Sequence, residues 1–180
     1  FRYDGGDKWT RVAHFPEMES VGGMVVYRGI EQGKQETAGQ ALNKAEDLPA
    51  LQAVVTDHAD TVAGHSAMVL LAEKQWEQGQ QDASIETLRK FISSSQQHPA
   101  IPTARASLGV KLMYQGKTGE STKAFQEIAD DPKARFLAPY ALICLGDISK
   151  AAGDITKAEA SYKRVKSEFS ESSFSETAGK

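Results

Sequence analysis

The heptapeptide YQGKTGE, residues 114–120, decides the fold. Its Gly-Lys-Thr is the ending of a phosphate-binding loop, and a true phosphate loop would make the chain a nucleotide hydrolase. That loop needs Gly-x-x-x-x-Gly-Lys followed by Ser or Thr, with a strand before it and a helix after it. Here the position of the first glycine holds Lys111, inside a helical pattern. The other near-match, GIEQGKQ at 29–35, is one residue short and lacks the hydroxyl. The alternative is that Gly116 is a turn between two helices, with Lys117 and Thr118 as surface variation on it.

The surrounding sequence favours the turn. Gly79 stands 37 residues before Gly116 and Gly153 stands 37 after it. Twelve positions ahead of each glycine is an alanine: Ala67, Ala104 and Ala141, with Ala178 at the next step. Eight ahead is a leucine (Leu71, Leu108, Leu145), and seven ahead a small residue (Ala72, Gly109, Gly146). Nine after each glycine comes a large residue: Leu88, Phe125, Tyr162. A fixed period of this length is the signature of stacked repeats.

Each unit reads as two amphipathic helices. Ala141, Cys144, Leu145, Ile148 and Ala152 precede Gly153 at helical spacing, and Ile155, Ala158, Tyr162, Val165 and Phe169 follow it so. The glycine supplies the left-handed backbone that ends the first helix. The small residue admits the second helix closely, and the large one fills the space between units. Neither helix buries its face alone, so units stack.

Composition agrees. The 180 residues are 40% hydrophobic but only 8% aromatic, which suits helices packed through small side chains. A net charge of −3 without a Lys/Arg block gives no footprint for nucleic acid. No apolar run reaches the roughly 20 residues needed to span a bilayer, so direct membrane insertion is not expected. Cys144 is the single cysteine, which excludes an internal disulfide. His58 and His65 flank Asp60 at spacings that match no standard metal site; packing at a joint between units explains them better. No cofactor and no catalytic residue are expected. A hydrolase with an unrecognised site, the competing class of function, finds support only in broken motifs.

Leu108-Gly109, Leu145-Gly146, Ala158, Phe125 and Tyr162 resemble the positions of a tetratricopeptide repeat. Ser84 and Ser121 replace that motif's usual alanine, and the period exceeds the usual ~34 residues. DHADTVAGHSA (57–67), EFSESSFSETA (168–178) and LICLGDISKAAGDITKAEASYKRV (142–165) are similar to the YfgM-like family of ancillary SecYEG translocon subunits. The resemblance implies an all-α solenoid of antiparallel helix pairs over residues 34–180. It also implies a non-enzymatic scaffold in the bacterial periplasm, held at the inner membrane by a segment preceding Phe1. A TPR adaptor of outer-membrane assembly or cell division is the alternative role, and the cytoplasm the alternative location.

The resemblance further implies that the first helices line a concave partner-binding face. Its apolar part is Val69, Trp76, Val110, Met113, Tyr114, Tyr140 and Ile143, and its polar rim is Glu73, Asp147 and Lys150. That composition suits a protein partner presenting an extended apolar segment or a helix. The rest of the chain is less regular. Leu48, Leu51 and Val55 continue the period backwards as a second helix, with Asp47 as its cap and a first helix at about 35–45. Residues 1–33 form a separate lead-in in which VGGMVVYRG (21–29) reads as a strand or an irregular segment, since Gly22-Gly23 weakens a helix.

Overall fold

The computed structural model describes residues 2–3, 9–10, 16–95 and 97–178. Apart from a two-residue antiparallel pairing of Arg2–Tyr3 (β1) with Trp9–Thr10 (β2), all regular structure in these residues is helical. The helices are α1 (Pro16–Lys44), α2 (Leu48–Asp57), α3 (Val62–Glu77), α4 (Gln81–Ser94), α5 (Ile101–Tyr114), α6 (Thr118–Ala129), α7 (Ala138–Ala151), α8 (Ile155–Glu168) and α9 (Phe174–Thr177). A 3₁₀ turn, Pro132–Ala134, precedes α7. The chain divides into two compact units, Phe1–Ala67 and Met68–Lys180.

In the first unit, VGGMVVYRG lies inside α1, so the strand or irregular reading of residues 21–29 does not hold. Two helical glycines cost only about 1 kcal/mol each. Each further residue of a formed helix adds a backbone hydrogen bond, and elongation of this 29-residue helix carries through them. The helix runs without a break through residue 33 and ends at Lys44, near the expected end of the first helix. Asp47 caps α2 by accepting from Ala50 N–H at 2.8 Å, as its place before Leu48-Pro49 implies. The joint after α2 is held by Thr61, whose hydroxyl donates to His58 O at 2.8 Å and accepts from Gly64 N–H at 3.0 Å. Gly64 passes so close that a Cβ there would stand 1.9 Å from the His58 carbonyl oxygen.

In the second unit the repeat is visible as geometry. Gly79, Gly116 and Gly153 have φ of 77°, 73° and 80°. Each ends its helix with the same pair of bonds, which for Gly116 are Gly116 N–H to Met113 O at 2.9 Å and Lys117 N–H to Leu112 O at 2.9 Å. This is the Schellman arrangement, which satisfies the last carbonyls of a helix. YQGKTGE is therefore a helix–turn–helix joint: Lys111 lies within α5, and Lys117 and Thr118 start α6. No strand leads into it.

The packing between paired helices also repeats. Gly109 faces the Phe125 ring and Gly146 the Tyr162 ring; a Cβ would come within 2.8 Å and 2.3 Å of the nearest ring carbon. In the preceding unit the large residue is Leu88, and there the small position is an alanine, Ala72. Ser84 and Ser121, fully buried, donate to the carbonyls of Ala72 at 2.6 Å and Gly109 at 2.8 Å. The hydroxyl replaces a methyl without leaving an orphan polar group. Ala67, Ala104, Ala141 and Ala178 are all buried. A core of Phe125, Ile128, Ala141, Leu142, Leu145, Tyr162 and Val165 runs through α6, α7 and α8.

Candidate functional site

The ten candidate residues lie on α3, α5 and α7, within the second unit. On α3, Glu73 and Trp76 are one turn apart; on α5, Ser107, Lys111 and Tyr114 form a stripe at helical spacing. The fold sets these two stripes against each other. Lys111 is 5% exposed and its Nζ donates to Glu73 Oε2 at 2.8 Å and to Ser107 Oγ at 3.1 Å. Ser107 in turn donates to Glu73 Oε1 at 2.6 Å. The Trp76 ring lies 5.0 Å from the same ammonium, and Tyr114 meets Trp76 edge-on at 5.5 Å between centroids. A buried ammonium is costly unless paired and hydrogen-bonded, and every contact around Lys111 meets that need.

Glu73 is thus a structural partner of Lys111. Trp76 is half-buried between two helices, whereas Tyr114 is 74% exposed despite touching it. Beside Tyr114 on α5, Val110 and Met113 are also exposed, so the middle helix presents three uncovered apolar or aromatic side chains. Val69 on α3 is half-buried. On α7, Ile143 packs partly into the core and Tyr140 meets Phe125 edge-on, with Phe174 on its other side.

Burial, with the Cys144 thiol beside it, pushes the Tyr140 phenol up to about 12. The Cys144 thiol is itself pushed up, first by burial, so it stays protonated at neutral pH. Asp147 accepts from the Tyr162 hydroxyl at 2.6 Å, and burial plus this carboxylate raise Tyr162 to about 12. Lys150 is exposed.

The structure therefore brings Glu73, Trp76 and Tyr114 together and leaves Val110 and Met113 open beside them. Asp147 is engaged with α8. Lys111 and Ser107 were absent from the sequence expectation. The signal was present in part: a lysine between Leu108 and Leu112 on an apolar stripe needs a buried counter-charge, but the repeat length points back to Lys74, and its partner Glu73 stands 38 residues earlier. Among the described residues, no group of three or more His, Cys, Asp or Glu is placed to hold a metal ion. None of the described helices is long and apolar enough to cross a membrane.

Residues 20–178 match the family model of the tetratricopeptide repeat-like domain. The chain belongs to this family. Among solved structures it is similar to a variant of a putative kinesin light chain from Podosopora anserina, described as having nearly identical TPR-like repeats. The two share 16% identity and a TM-score of 0.54, over 82% of this chain and 80% of that one. At that identity the likeness is one of fold. No curated protein matches the sequence. A TPR-like fold points to protein partners.

Proposed function

We propose that this TPR-like chain is a non-enzymatic scaffold that binds an apolar segment of a partner protein across α5. The observation that carries this is the contiguous exposure of Val110, Met113 and Tyr114 on a helix whose neighbouring charge, Glu73, is neutralised internally by Lys111. An uncharged aromatic surface of this kind favours apolar side chains, and a buried aromatic anchor typically dominates such binding. The sequence likeness to the YfgM-like family supports a place in the bacterial envelope beside a membrane complex such as the protein translocon. Periplasmic display and an inner-membrane tether are parts of the same proposal.

The test is site-specific photocrosslinking in cells, with a photoreactive side chain in place of Tyr114 and, as control, in place of exposed Lys123 on α6. A protein adduct at Tyr114, lost on Val110→Ser with Met113→Ser, is expected, with fractionation placing the adduct in the envelope. Equal adducts at both positions would sink the assignment of the face. An adduct confined to the cytoplasm would sink the assignment of the compartment.

A further inference from the structure

The charges around the exposed residues of α5 cancel in pairs. From Met68 to its end at Glu77, α3 carries Glu73, Lys74 and Glu77. Lys74 pairs with Glu77 along its own helix at 3.7 Å. Glu73 is answered from α5, where Lys111 holds one carboxylate oxygen at 2.8 Å and Ser107 the other at 2.6 Å. The remaining charge on α5, Arg105, pairs with Glu127 at 3.2 Å. Because α5 packs against both α4 and α6, Val110, Met113 and Tyr114 are what its neighbours in the array leave uncovered.

The two members of the Glu73–Lys111 pair are placed differently. The lysine side chain is 7% exposed and the glutamate side chain 45%. The ammonium thus reaches Glu73 from beneath, while the carboxylate borders the surface. Without Lys111, Glu73 would be an uncompensated negative charge beside an aromatic surface, open to a lysine or arginine on a docking segment. Charge complementarity of that kind decides which partners are accepted. With Lys111 in place a basic flank finds no free counter-charge there and still loses part of its hydration. The same ammonium lies 5.0 Å from the Trp76 ring, which Tyr114 meets edge-on.

We propose that Lys111 is the specificity-determining residue of the α5 face. Held beneath Glu73, it withholds that carboxylate from the partner, so the face selects apolar segments with uncharged flanks over those with basic flanks. Lys111 is a positioning residue: it acts through Glu73 and does not touch the partner. This rests on α5 being the binding face proposed above.

The probes are two short labelled peptides with the same Leu-Phe centre, one flanked by serines and the other by lysines. Fluorescence anisotropy with the full chain compares their affinities, since specificity is a difference of affinities. Lys111→Met should shift the ratio at least about tenfold towards the lysine peptide, and the shift should shrink as salt screens the charges. Adding Glu73→Gln should cancel the shift, and Lys111→Arg should not produce it. Lys123→Met on α6 changes the net charge equally at an exposed position and should leave the ratio unmoved. Lys111→Gln, which keeps polar partners for Glu73 and Ser107, carries the same expectation as Lys111→Met, with helicity checked by circular dichroism. A second measurement needs no peptide. With Trp9→Phe leaving Trp76 as the one emitter, quenching by caesium relative to neutral acrylamide should rise in Lys111→Met and fall back when Glu73→Gln is added. Peptides that bind with a ratio unchanged in Lys111→Met, or equally changed in Lys123→Met, overturn this proposal alone, as does caesium quenching that does not move. Neither peptide binding the parent chain overturns the binding face and this proposal with it.

Discussion

Gly146→Ala is the smallest change that probes the repeat seam. The new methyl would sit 2.3 Å from Tyr162 Cε1 and 2.7 Å from its Cζ, well inside van der Waals contact. The ring cannot swing aside freely, because its hydroxyl is tied to Asp147 at 2.6 Å and its body is buried in the core. Overpacking of this kind costs about 1–3 kcal/mol. Loss of the hydroxyl bond adds about 1 kcal/mol. Against this, alanine is a better helix former than glycine by about 1 kcal/mol. The net is a destabilisation of about 2 kcal/mol, which for a chain of this size lowers Tm by roughly 4–8 °C. Thermal unfolding followed by circular dichroism reads this directly. The paired variant Gly146→Ala with Tyr162→Leu recreates the Ala72 and Leu88 pairing of an earlier unit. It should lose less than the sum of the single changes by about 1 kcal/mol or more. A Tm that rises in Gly146→Ala, or single effects that simply add, would show that the seam is not limited by this contact.

Lys117→Ala should change Tm by no more than about 4 °C, because its ion pair with Asp82 is exposed and such pairs contribute roughly 0–1 kcal/mol; calorimetric ATP binding that this variant abolishes would restore the phosphate-loop reading. Alkaline pH should destabilise the fold through its buried phenols: Tyr140 and Tyr162 rise from 10.0 to about 12, so folding favours their neutral forms. That stability is complete below pH 10 and drains as pH climbs towards 12. Tyr162→Phe should flatten the decline of Tm over that window, and a parent and variant with the same slope would contradict the assignment.

Much of the second unit was legible because it is built from local rules applied repeatedly. A glycine with nothing but a left-handed turn to make, an alanine stripe and a large residue nine positions on determine where helices end and which faces meet. Each of those rules acts within a few residues of chain, and the repeat multiplies the signal. The N-terminal segment has no such repetition. There Gly22-Gly23 spoke for a break, and a 29-residue helix overrode it, since propensity is a small term beside cooperative elongation.

The periodicity also placed the ten candidate residues on helices, which the fold shows as α3, α5 and α7, but not what each side chain does there. Glu73 and Trp76 read as rim and floor; the fold turns both towards α5, where Lys111 and Ser107 claim the carboxylate. Asp147 likewise belongs to Tyr162. The difference is physical. Periodicity reports that a residue faces a neighbouring helix or solvent, while the partner of a buried charge depends on where two distant stripes cross. That crossing is set by the stacking of one unit on the next, and only the tertiary structure decides it.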